Sequence, residues 1–211
     1  LMTRLPRLAL CCLVLILLPS PTVAQPASAA SQSSDPYANL HIYLLTFGPG
    51  DEVWEQFGHN AIEVLDPDRT GEFHDFAANY GVFDFFEKGF YKRFILGQML
   101  YRMAIAPAVP ALLTSYRHDN RSIFRQELTL SPSQKASLYH FLAWNIREEN
   151  RNYHYDYYRD NCSTRVRDAL DRSVGGAISA ALKPLPANTT YRWHTDRIMA
   201  SDLPLYTSLL F

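Results

Sequence analysis

The pattern of apolar and polar residues predicts several short strands in the first two thirds of the chain. In residues 59–65, apolar Ile62 and Val64 occupy alternate positions, which is typical of a strand with one buried face. A turn rich in Asp, Pro and Gly at 66–71 follows, so this strand and the next are expected to form an antiparallel hairpin. Strands are predicted at 40–47, 59–65, 72–80, 98–105 and 122–130, and short helices at 86–97 and 110–118.

Two longer helices with clear start signals follow these strands. Ser131-Pro132-Ser133-Gln134 is a capping box with proline at the first helical position. The apolar positions that continue this helix at intervals of four are Leu138, Leu142 and Ile146. Asn161 is a good N-cap for the second helix, whose shared face is Cys162, Val166, Ala169 and Leu170. Residues 175–211 receive no assignment, and the fold class predicted for the whole is α+β, with an antiparallel sheet packed against helices.

The N-terminus has the features of a signal peptide, which we place at residues 1–29. Arg4 and Arg7 precede an uncharged apolar stretch at 8–18, and prolines and small residues follow it. Eleven apolar residues are too few to span a bilayer comfortably, so we expect export and cleavage, with an uncleaved N-terminal membrane anchor as the alternative. A flexible leader is expected at 30–39, and a single domain at 40–211, which would lie in the periplasm.

Charge and aromatic content narrow the range of functions. Without the first thirty residues the chain keeps 18 Lys and Arg against 21 Asp and Glu, a net charge of −3. This balance argues against a nucleic-acid-binding surface. Tyr and Phe together number 25, and such rings fill cores or line grooves that accept lipid or sugar.

Cys162 is the one cysteine expected in the mature protein, because Cys11 and Cys12 lie in the apolar stretch. It cannot form an internal disulfide, and its position at a helix start would favour the thiolate. A nucleophilic cysteine needs a nearby base, and His59 has the best context, after Gly58 and at the start of a strand. Taken singly, a lone cysteine is usually a small buried hydrophobe, and a histidine at a strand start is usually structural.

Three motifs carry a resemblance to a known family. Residues 56–62 (QFGHNAI), 79–85 (NYGVFDF) and 155–165 (YDYYRDNCSTR) resemble the Lnb N-terminal periplasmic domain family over about 40–173. The resemblance implies a permuted papain-like (NlpC-type) core, in which the histidine strand precedes the cysteine helix. It also implies that Cys162 is the nucleophile and His59 the base.

The third catalytic position is expected to be Asn79. If the hairpin turns midway through 66–71, residue 78 lies opposite His59, so Asn79 is close enough to orient the imidazole. Asp84 and Asp160 are alternatives for this role. The backbone N–H of Cys162 is expected to serve as an oxyanion donor. No cofactor is expected; the weaker alternative is a metal site built from His41, His59, His74 and Asp75.

These inferences predict an exported thiol acyltransferase or hydrolase that works through a thioester. The resemblance implies N-acylation of bacterial lipoproteins, with phospholipid as acyl donor. Acyltransferases of this kind carry membrane-spanning segments after the periplasmic domain, whereas this sequence stops at Phe211. Its last residues, 203–211, are a truncated edge, an end strand or a membrane-surface contact. The alternatives are a cell-wall peptide amidase or endopeptidase of the NlpC type and a non-catalytic envelope-binding module.

Overall fold

The three motifs lie wholly or in part within the residues that the structure describes. A computed structural model describes residues 35–52, 55–71, 74–84, 86, 88–89, 92–93, 96, 98–107 and 109–199. They belong to one compact unit, Ser34–Phe211. The predicted signal peptide and much of the predicted helix at 86–97 lie outside the described residues. Within the described ranges we find no helix whose length and hydropathy would let it cross a bilayer.

A six-stranded antiparallel sheet forms the centre of the unit, with the order β5-β1-β2-β3-β4-β6. Its strands are β1 (His41–Phe47), β2 (His59–Leu65), β3 (Asp75–Val82), β4 (Leu100–Pro107), β5 (Ile123–Glu127) and β6 (Asn152–His154). Five of these strands correspond to predicted ones, and β6 was not predicted. The α+β fold class is therefore confirmed, while the likeness to permuted papain-like enzymes stays a prediction.

Helices follow and flank the strands. Those of the described residues are α1 (Val109–His118), α2 (Pro132–Asn145), α3 (Glu148–Arg151), α4 (Cys162–Ser173), α5 (Ala177–Leu182) and α6 (Tyr191–Met199). The capping box of α2 is confirmed, because Ser131 Oγ accepts from the Gln134 amide while Gln134 Oε1 accepts from the Ser131 amide. Helices α5 and α6 occupy part of the region that received no assignment.

The two faces of the sheet carry separate apolar cores. The larger core lies between the sheet and helices α2 and α4, and the predicted apolar face of α4 contributes Val166, Ala169 and Leu170 to it. The smaller core lies between the other face and α1, and its buried members are Leu45, Phe47, Ala61, Ala77 and Val109. Helix α4 is thus held against β2 and β3, the two strands that carry the predicted site residues.

The predicted register of the β2–β3 hairpin is wrong. The strands pair Leu65 with Asp75 and Ala61 with Asn79, so residue 78 does not lie opposite His59. The connection is longer than the predicted turn at 66–71, because the Asp66 amide donates to the His74 carbonyl, 2.7 Å away, and closes the loop there. Asn79 consequently lies two residues along β3 from the position opposite His59 and on the same face of the sheet.

The end of the predicted leader contacts the domain. Residues 36–39 form a turn, and Leu40 after it is buried. Tyr37 packs on Tyr139 of α2 with ring centroids 5.7 Å apart, and its hydroxyl is 3.0 Å from Nε2 of His140. These contacts hold the entry to β1 against α2.

Candidate active site

Cys162 is the first residue of α4, at the positive end of the helix. Asn161 caps the helix as predicted: its Oδ1 accepts from the Thr164 amide at 2.9 Å, and Thr164 Oγ1 accepts from the Asn161 amide at 2.8 Å. A helix N-terminus favours a negatively charged group at this point. The capping sequence therefore fixes the thiol where its thiolate is stabilised.

The loop that precedes Cys162 is closed by a second set of contacts. Asp156 and Asp160 form an antiparallel bridge, and Arg165 of α4 binds Asp160 through two hydrogen bonds of 2.6 and 2.7 Å. The guanidinium also lies 3.7 Å from the ring centroid of Tyr153. Asp160 is thus engaged by Arg165 and does not orient the imidazole, so this alternative for the third position is wrong.

His59 is the first residue of β2, and the glycine before it is needed there. Gly58 has φ +69°, and a Cβ at this position would lie 2.6 Å from the Phe47 carbonyl oxygen, closer than any side chain tolerates. The imidazole stacks on the ring of Phe47, with centroids 5.9 Å apart. The imidazole is close enough to Cys162 for its hydrogen bonding and charge to lower the pKa of the thiol. The predicted pair, 103 residues apart in the chain, therefore meets.

Asn79 provides the partner on the other side of the imidazole. Its Oδ1 lies 3.1 Å from Nε2 of His59, and its Nδ2 donates to the Ala77 carbonyl at 3.2 Å. Because that second bond fixes the orientation of the amide, Oδ1 is the atom presented to the ring, and Nε2 is the donor. The nitrogen left for the thiol is Nδ1. Asn79 is only 8% exposed, so water competes little for this bond.

A bulge in β3 brings the cysteine close to the sheet. The β3–β4 register shifts between Asn79 and Val82, and Gly81 within it has φ +85°. A Cβ added to Gly81 would lie 3.7 Å from Cβ of Cys162. Bulges of this kind redirect a strand beside functional groups. That distance is an ordinary van der Waals contact, so glycine is required here by the positive φ of the bulge, which lies against the start of α4.

The environment of Cys162 lowers the pKa of its thiol. Burial alone would raise that pKa, but the hydrogen bond and the charge of His59, with further bonds from the Asn60 backbone and the Ser163 hydroxyl, outweigh burial. Three phenols interact electrostatically with the thiolate, those of Tyr116, Tyr153 and Tyr155. Their pKa values are raised, mainly by burial and partly by the thiolate charge, so the rings stay neutral where the thiol titrates.

The remaining predicted candidates lie elsewhere. The Asp84 carboxylate accepts from the Phe86 amide at 2.8 Å. His41 pairs with Glu127 at 2.6 Å, and His74 Nδ1 donates to the Gly71 carbonyl. In the parts of the chain that the structure describes, no three histidine, cysteine, aspartate or glutamate side chains come together to hold a metal ion. The alternative set of His41, His59, His74 and Asp75 is therefore not assembled.

Two neighbours of the predicted pair were missed from the sequence. Nδ2 of Asn60, next to His59, donates to Oγ of Ser163, next to Cys162, at 2.8 Å. The amide oxygen of Asn60 accepts from Thr46 Oγ1 at 2.9 Å. A polar residue directly after each candidate was the available signal, and it is a weak one.

The fold and the site together define an α+β domain with a thiol at a helix start, a strand histidine beside it and an asparagine behind the histidine. The model of the Lnb N-terminal periplasmic domain family matches residues 27–197, and the chain belongs to this family. The resemblance inferred from the three motifs is confirmed, over a longer stretch than 40–173. No curated protein and no solved structure matches the chain.

Proposed function

We propose that this chain is a cysteine-dependent acyltransferase or hydrolase of the cell envelope, exported by its signal peptide or held by an uncleaved N-terminal anchor. The observation that carries the proposal is the placement of His59 beside Cys162, where the imidazole lowers the pKa of the thiol, with Asn79 binding the far side of the ring. A thiol with a lowered pKa, a base in contact and an orienting amide are the parts that thiol acyl transfer requires.

The reaction would proceed through a thioester. The Cys162 thiolate attacks the acyl carbonyl, its charge passes to the carbonyl oxygen, and the backbone N–H of Cys162 donates to that oxygen. The tetrahedral intermediate collapses with cleavage of the bond to the leaving group, which takes a proton from His59. An amine or water then attacks the thioester and gives its proton to His59. The carbon–sulfur bond breaks, which regenerates the Cys162 thiolate and leaves the acyl group on the amine or water.

Lipid or lipoprotein is the substrate class we favour. Family resemblance implies N-acylation of lipoproteins, with phospholipid as donor. Half-exposed rings lie beside the site: Phe57 is two residues before His59 and 43% exposed, and Tyr157 is 46% exposed. The Tyr157 ring stands edge-on to Tyr155, 5.4 Å away, and Tyr155 is one of the phenols near the thiol. Apolar rings at the rim suit an acyl chain.

Intact-protein mass spectrometry after incubation with an activated acyl ester tests the proposal. We expect one acyl group on the native chain, none on Cys162→Ala, and a rate about a hundredfold lower on His59→Ala, since the base is lost. His118→Ala is the control, because that exposed imidazole contacts only its neighbour Asp119. A native thiol that reacts no faster than free cysteine would refute the proposal.

Incubation with different substrates distinguishes the proposed function from its alternatives. Phospholipid vesicles should yield the adduct, which an amine-bearing lipopeptide should then discharge. Release of new amine ends from purified muropeptides, without acylation by lipid, would instead point to an NlpC-type cell-wall amidase. If neither substrate is altered, the result favours a non-catalytic binding module and argues against the enzyme proposal.

A further inference from the structure

The side chain of Asn60 is fixed by strand pairing. Thr46 of β1 and Asn60 of β2 lie opposite each other, and Thr46 Oγ1 donates to Asn60 Oδ1 at 2.9 Å. Because the oxygen end of the amide is held by Thr46, its NH₂ end is directed away from β1. It donates to Ser163 Oγ at 2.8 Å, and so connects the sheet to the first turn of α4.

That bond also determines what the Ser163 hydroxyl can do. An oxygen that already accepts from Asn60 still has its own proton to donate. Its nearest partner is the sulfur of Cys162, 3.9 Å away, within range of a weak hydrogen bond to sulfur. The backbone N–H of Asn60 also helps to lower the pKa of the thiol. Asn60 therefore acts on the thiol directly through its backbone and indirectly through Ser163.

We propose that Thr46, Asn60 and Ser163 form a hydrogen-bond relay that turns the Ser163 hydroxyl toward Cys162 and sets the reactivity of the nucleophile. Ser163 is the catalytic member, because it touches the reacting sulfur. Asn60, through its side chain, and Thr46 are positioning residues. The relay adds to the proposed function, on which it rests, by assigning two further donors to the thiolate charge.

A purely structural role for the same contacts is the competing explanation. Asn60 follows His59 and Ser163 follows Cys162, so their bond would also hold the catalytic pair together as a clamp. A clamp and a donor relay differ in the pH profile of the thiol. Loss of a clamp lowers rates at every pH, whereas loss of a donor raises the pH at which the thiolate forms.

The ionisable groups that interact with the sulfur allow the pH profile of the thiol to be interpreted. They are His59 from β2, Tyr116 from α1, Tyr153 from β6 and Tyr155 from the residue after β6. The three phenols have raised pKa values and stay protonated while the thiol titrates. In a relay variant that keeps His59, a shift in the midpoint of the pH profile therefore reports a change in the pKa of the Cys162 thiol.

The experiment measures the rate of iodoacetamide alkylation of the full chain against pH. Ser163→Ala should raise the midpoint by about half a pH unit. At pH values below the midpoint, this shift corresponds to about a threefold loss of thiolate. Asn60→Asp should raise it further, because a carboxylate accepts the Ser163 proton and places a negative charge beside the sulfur. Ser163→Thr should keep the native midpoint, since it keeps the hydroxyl.

Asn39→Ala is the matched control, because that amide donates to Asp68 away from the site. Thr46→Val should move the midpoint in the direction of Ser163→Ala, since the Asn60 amide is then no longer held. Native midpoints in both Ser163→Ala and Asn60→Asp would overturn the relay while leaving the proposed function in place. A native chain with the midpoint and rate of free cysteine would overturn both. Ser163 is exposed, so its variants should fold, and thermal unfolding verifies this.

Discussion

The amide of Asn79 decides which nitrogen of His59 faces the thiol. Its Nδ2 is committed to the Ala77 carbonyl, so its oxygen accepts from Nε2, and Nδ1 is left for Cys162. An imidazole without this partner could rotate or present the wrong tautomer. The contribution of Asn79 to the proposed reaction is therefore orientation, delivered by a buried residue that the substrate does not touch.

Replacing Asn79 tests this role. Asn79→Ala should lower the rate of acyl-adduct formation about tenfold to a hundredfold, because His59 loses its fixed orientation. Asn79→Asp keeps an acceptor for Nε2 and should retain more of the rate. Adduct formation followed by mass spectrometry gives both values, and circular dichroism verifies the fold. Equal rates in Asn79→Ala and the native chain would remove Asn79 from the site.

Residue types were easier to predict than residue partners. His59 and Cys162 were proposed from local motifs, whereas Asn79 was proposed from a hairpin register that is wrong, and the choice between Asn79, Asp84 and Asp160 needed distances. The Asp160 carboxylate is bound by Arg165, and no sequence pattern reveals that it is already engaged. Contacts between side chains over a hundred positions apart, such as Asn60 with Ser163, lie beyond local patterns.

At the scale of elements, helix starts were predictable and strand register was not. Both capping boxes depend on residues within four positions of each other, so their sequence suffices. The β2–β3 register depends on the length of the connecting loop. The hydrogen bond from the Asp66 amide to the His74 carbonyl closes this loop beyond the predicted turn at 66–71. The bulge at Gly81 was not predicted either, since it arises from the pairing of β3 with β4.

The bulge leads to a prediction with an internal control. Gly81→Ala imposes strain at φ +85° in the bulge next to Cys162, so it should destabilise the fold by about 1–2 kcal/mol and, as the backbone there relaxes, reduce thiol reactivity. Gly71→Ala imposes similar strain at φ +88°, with nothing within 4 Å of the added Cβ. Denaturant unfolding should show comparable losses, and iodoacetamide should react more slowly only with Gly81→Ala. Equal reactivity in the two variants would mean that the backbone of the bulge at Gly81 does not position the nucleophile.

In the described part of the molecule, the site is where the sheet meets two helices that pack on its opposite faces. Helix α4 brings Cys162 from the side of the larger core, while α1, on the other face, contributes Tyr116 beside the thiol. Strands β2 and β3 between them supply His59 and Asn79. A thiolate formed there is stabilised by groups that only the folded chain assembles, so its formation is coupled to folding.

This coupling gives the stability of the whole molecule a defined dependence on pH. The pKa of Cys162 is lowered in the folded state, although burial opposes the change, because His59, Asn60 and Ser163 stabilise the thiolate. The thiolate therefore contributes stability that is complete above the unfolded pKa, near 9.0, and is lost as pH falls through the folded pKa. Each pKa unit of difference between the folded and the unfolded state contributes about 1.4 kcal/mol to the free energy of unfolding.

Denaturant unfolding of the native chain and Cys162→Ala, under reducing conditions, measures the contribution. Other ionisable groups are the same in both proteins, so most of their titration cancels in the difference between the two free energies of unfolding. As pH rises through the folded pKa toward about pH 9, that difference should shift in favour of the native chain and then level off. A constant difference would show that His59 and its neighbours do not stabilise the thiolate, and the proposed nucleophile would lose its physical basis.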